Sequence, residues 1–136
     1  MQRKMTRRRV FLFSALLLTI VGGLALRRYG YAMHLPFVAV KYGGSLLWGA
    51  MVYWLLATIF VSTRRFRVAS AAAIVAVFVE LFRLWHTPAL DAFRLTTAGA
   101  LLLGRVFSPW NILAYATGIA MALVLDRALS GPKPSV

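Results

Sequence analysis

The chain has 136 residues, 61% hydrophobic and only 14% charged, with a mean hydropathy of +0.76. A soluble domain of this size needs a more polar surface, so the composition belongs to the membrane class, with room for one helical bundle. Sixteen Lys and Arg against Glu80, Asp91 and Asp126 give a net charge of +13. The basic residues sit mainly between apolar runs, as membrane topology requires, which argues against nucleic acid as a partner. The absence of cysteine excludes disulfides, thiolate metal sites and a Cys nucleophile.

Residues 1–9 form a basic leader. The apolar run from Val10 to Leu26 is long enough to span and ends at Arg27 and Arg28. Tyr29–Lys41 contains Gly30, His34 and Pro36 and reads as a loop. A second run covers Gly43–Val61 and a third covers Val68–Trp85, the latter apolar except for Glu80 and Arg83. Thr87-Pro88 and Ser108-Pro109 each place a hydroxyl at N-cap and proline at N1. They predict helices from Pro88 to about Arg105 and from Pro109 to about Leu129. Residues 10–129 thus form a single transmembrane domain, with a flexible tail over 130–136.

The charges orient the bundle. With the N-terminus in the cytoplasm, the arginines of the 62–67 loop also lie inside, and residues 27–42 and 86–91 lie outside. The uncharged core of the helix after Pro88, Leu95–Gly104, is short for a span and favours a re-entrant or interfacial helix. The expected fold is all-α, with four transmembrane helices plus this short one. Five spans are the alternative, at a similar charge asymmetry.

Ionisable residues within apolar runs cost roughly 2.5–3.5 kcal/mol on insertion scales, so each is a candidate functional group. Glu80 and Arg83, three apart, share a helix face and can pair, and Asp91 and Arg94 repeat the spacing. The topology brings Ser45, Asn111 and Tyr115 to the same level. The expectation is an outer-leaflet polar pocket built from Glu80, Arg83, Asp91, Arg94, Asn111 and Tyr115. The structural alternative is that the ion pairs neutralise each other and hold helices in register.

Other features read more plainly. Arg8-Arg9-Val10-Phe11-Leu12 matches the core of a twin-arginine export motif. Arg7, however, stands where Ser or Thr is usual, and the motif reads as the basic flank of the first span. His34 and His86 lack a second ligand at motif spacing, so no metal or cofactor is expected. Gly22-Gly23 and Gly118-xxx-Ala122 are small-residue sites for close helix approach or a homo-oligomer. No hydrolase triad, zinc motif or phosphate-binding glycine loop is present.

The stretch ELFRLWHTPALDAFRLT (80–96), followed by Gly99, Gly104, Phe107 and NILAYATG (111–118), resembles the bacterial multi-pass membrane family of unknown function DUF2809. YGGSLLWGAMV (42–52) is similar to that family's second-span motif. The family usually carries Gln at the position of Arg83 and Asp at those of Ser45 and Asn111. The pattern also distantly resembles VanZ-type envelope proteins, in which the two motifs lie closer together. The resemblance implies a multi-pass protein of the bacterial inner membrane and no established reaction.

These readings favour a cell-envelope binding or transport-accessory protein, with membrane lipids as partners and an anionic amphiphile in the pocket. Arg83 and Arg94 would meet its head group, oriented by Glu80 and Asp91. One alternative is an enzyme with Glu80 and Asp91 as an acid/base pair; pairing with arginine, which favours the charged carboxylates, argues against it. The other is a structural subunit of a larger membrane complex.

Overall fold

The computed structural model describes residues 2–30, 32–61, 63–96, 99 and 109–130, and these contain helices and no strand. The helices are α1 (Gln2–Tyr29), α2 (Phe37–Ile59), α3 (Arg65–Phe82), α4 (Pro88–Arg94) and α5 (Pro109–Ser130). Three of them, α1, α2 and α5, are long and apolar enough to cross a bilayer. At about 1.5 Å per residue, α2 and α5 are each close to 33–35 Å long, against a hydrocarbon core of about 30 Å.

The helix boundaries differ from expectation in instructive ways. Helix α1 starts at Gln2, so the basic leader forms its first turns. Helix α2 starts six residues before Gly43, directly after Pro36, whose extended backbone marks the entry. His34 closes the preceding turn with a φ of 61°, in the left-handed region. Helix α3 begins at Arg65 and ends at Phe82, three residues earlier at each end than the apolar run.

Helix α4 stops at Arg94 rather than near Arg105. The Thr96 hydroxyl donates to the Phe93 carbonyl and accepts from the Gly99 N–H, giving the backbone a partner other than the next helical turn. Seven residues extend only about 10 Å, too short to cross. Most of the expected Leu95–Gly104 core, and Ser108, lie outside the described residues. At the other end Thr87 caps α4 as its sequence predicts, its hydroxyl accepting from Leu90 N at 3.1 Å with proline at N1.

Helix α2 is central and packs on α1, α3 and α5, while α3 also packs on α5. The closest approach is between α2 and α5. A Cβ on Gly118 would lie 1.9 Å from the Leu46 carbonyl oxygen, and one on Gly49 would lie 2.6 Å from that of Tyr115. Only glycine permits backbones to meet this closely. On α3 the inward stripe is Ala69, Ala72, Ala76 and Glu80, and on α5 it is Asn111, Tyr115, Ile119, Ala122 and Asp126. Both follow the helical three-to-four spacing. Large apolar side chains such as Leu18, Ile74, Phe78, Leu113 and Val124 point outward, while the polar ones are buried. This inside-out distribution suits a lipid surround.

Candidate functional site

The interior holds two fully buried carboxylates, Glu80 and Asp126. They lie near opposite ends of α5: Asn111, which binds Glu80, precedes Asp126 by fifteen residues, or about 22 Å along the axis.

At one end, Glu80 Oε2 accepts the Tyr115 hydroxyl at 2.8 Å and pairs with Arg83 Nη1 at 2.9 Å. Its Oε1 accepts Asn111 Nδ2 at 3.2 Å. The Ser45 hydroxyl shares its proton between Asn111 Oδ1 and the Lys41 carbonyl, each at 3.2 Å. The Arg83 guanidinium also stands 6.0 Å from the Tyr115 ring centre. Helices α3 and α5 thus meet at one carboxylate, and Ser45 of α2 joins the same hydrogen-bonded network through Asn111. Both carboxylate oxygens accept from protein donors, which is the condition for burying such a group without a large penalty.

Asp91 and Arg94 form a separate group. Arg94 is buried and its guanidinium turns to the end of α3, donating to the carbonyls of Phe82 at 2.9 Å and Trp85 at 2.7 Å. It also stacks 5.6 Å from the Phe82 ring centre. Terminal helix carbonyls lack intrahelical partners and carry partial negative charge, so a cation there is favoured. Asp91 is half exposed, 3.3 Å from Arg94 Nη1 and 3.0 Å from His86 Nδ1. Both expected i,i+3 pairs form, but the six residues do not make one pocket. Glu80, Arg83, Asn111 and Tyr115 come together with Ser45, whereas Asp91 and Arg94 fasten α4 to the end of α3.

The second carboxylate was not anticipated as a site. Asp126 Oδ1 meets Arg8 Nη1 at 2.9 Å and Arg65 Nε at 3.3 Å. Its Oδ2 accepts Arg8 Nη2 at 3.1 Å and the Tyr53 hydroxyl at 2.7 Å. Here α1, α2, α3 and α5 supply one residue each. A signal was present, because Asp126 continues the Gly118-xxx-Ala122 step by four residues and so falls on the inward face of α5. Among the described residues no group of three or more His, Cys, Asp or Glu is placed to hold a metal ion.

A family model described as "Protein of unknown function (DUF2809)" matches residues 34–119, more than half of the chain. The matched stretch contains every residue of the Glu80 network and leaves Arg8 and Asp126 outside. No solved structure matches the chain. The protein is therefore a member of the DUF2809 family.

Proposed function

We propose that this chain is a four-crossing protein of the bacterial inner membrane that holds an anionic amphiphile at its outer face. Its N-terminus lies in the cytoplasm and α4 lies at the outer interface. The contact of Glu80 with Asn111 supports this topology, because it sets the end of α3 level with the start of α5. At 18 residues α3 extends about 27 Å, near the thickness of the hydrocarbon core. The Asp126 end carries the arginines of the leader and of the 64–67 segment, as a cytoplasmic face should.

The observation that carries the binding role is the cation surplus at the opposite end. Arg27, Arg28, Lys41, Arg83 and Arg94 stand there against Glu80 and Asp91. Topology disfavours cations on the translocated side, and an anionic head group would add to the partners these cations have within the protein. The acid/base alternative has less support: both Glu80 oxygens are engaged within the protein, and Asp91 belongs to a different group. The subunit alternative also has less support: the small residues Ala69, Ala72 and Ala76 of α3 face inward and pack within the bundle.

Mass spectrometry of lipid co-purifying with the protein in mild detergent tests the reading. Anionic phospholipid enriched over the source membrane is expected. Retained lipid of unchanged composition contradicts it.

A further inference from the structure

We infer that the cleft between α1 and α2 is the amphiphile's seat, with one acyl chain of an anionic phospholipid lying along it and the phosphate on Arg27. The inference rests on the binding role proposed above and gives it a location different from the Glu80 network.

The cleft is small and open to its surroundings, enclosing about 30 Å³. Ile20, Gly23, Leu24, Leu47 and Met51 give it an apolar lining. Thr19 also lines it, but its hydroxyl already donates to the Ala15 carbonyl at 2.7 Å. Arg27 closes one end, and its exposed side chain passes over Gly44, where an added Cβ would lie 3.5 Å from Arg27 Nε. From Arg27 to Thr19 is eight residues, so the apolar furrow runs about 12 Å along α1 away from the cation. A cation at the head-group end of an apolar furrow is complementary to a phosphate followed by an acyl chain.

Two further details fit an occupant. Gly22 and Gly23 are not close-packing contacts: a Cβ on either would meet nothing nearer than 3.9 Å. The room they leave is part of the furrow. Trp48, in the cleft wall, has a buried indole N–H without an acceptor among the described residues. Buried donors are rarely left so, and a lipid ester or phosphate oxygen is a suitable acceptor. Trp48 also packs on Tyr115, with ring centres 5.0 Å apart, which joins the cleft wall to the Glu80 network.

Native mass spectrometry of the full chain in detergent, titrated with phosphatidylglycerol or phosphatidylcholine, tests the assignment. Arg27→Gln is expected to weaken phosphatidylglycerol binding about tenfold, the loss of one charge-assisted contact, and to leave phosphatidylcholine unchanged. Gly23→Leu fills the furrow without striking backbone and is expected to reduce binding of both lipids while the melting temperature holds. If the wild-type chain prefers phosphatidylglycerol and neither variant alters its binding, the cleft is overturned and the broader role stands. If Arg28→Gln weakens binding as much as Arg27→Gln, diffuse charge rather than the cleft holds the lipid, and the assignment again fails. If the wild-type chain shows no preference for the anionic lipid, the proposed role itself falls.

Discussion

Arg8 and Asp126, 118 positions apart, are joined by two parallel hydrogen bonds of 2.9 and 3.1 Å. Such two-pronged pairing fixes both side chains and ties the start of α1 to the end of α5. Arg65 and Tyr53 complete the contacts to the carboxylate. The basic leader is therefore tied into the folded bundle through Arg8.

Removing one partner from a buried ion pair leaves a charge without compensation, at a cost of about 3–5 kcal/mol. Arg8→Ala is expected to destabilise the bundle on that scale in a denaturant or thermal series. Arg8→Lys should recover part of the loss, because an ammonium lacks the planar fork. Arg9→Ala, at an exposed neighbour, should change stability by less than about 0.5 kcal/mol. Equal effects at the two positions would remove the special role of Arg8.

The Glu80 network gives a coupling test. Tyr115→Phe deletes one donor to a charged acceptor and is expected to cost about 1.5–3 kcal/mol. Glu80→Gln should cost more, because Arg83 loses its carboxylate partner. The double variant should be less destabilised than the sum of the two, since both changes break the same contact. Additive losses would show that Tyr115 and Glu80 do not act together.

Arg94 makes a different prediction, one about local order. Its guanidinium bridges the carbonyls of Phe82 and Trp85, so Arg94→Ala should raise hydrogen exchange in α4 and at residues 83–87. Arg94→Lys should resemble Arg94→Ala, because one ammonium lacks the fork that spans both carbonyls. Unchanged exchange in α4 would argue that another contact holds it.

Much of this fold is legible because a bilayer simplifies the code. Apolar length located the long helices, and Thr87-Pro88 located the start of α4, since each is a local signal. The end of α4 was not legible: Thr96 satisfies the backbone through its hydroxyl, which no hydrophobic pattern announces. The i,i+3 spacings found both ion pairs on their own helices. They could not show that Arg94 turns toward the carbonyls of α3, because that choice depends on where the end of another helix lies. Asp126 was read as charge alone, for its partners Arg8, Arg65 and Tyr53 come from three other helices and share no motif with it.

The central claim is that the Glu80 and Asp126 clusters face opposite sides of the membrane across four crossings. The chain contains no cysteine, so single cysteines at Met33, Thr63, Leu95 and Leu129 report without background. Labelling in intact cells with a membrane-impermeant maleimide is predicted to modify positions 33 and 95, and to reach 63 and 129 only after permeabilisation. Modification of 33 and 95 from opposite sides would contradict the account.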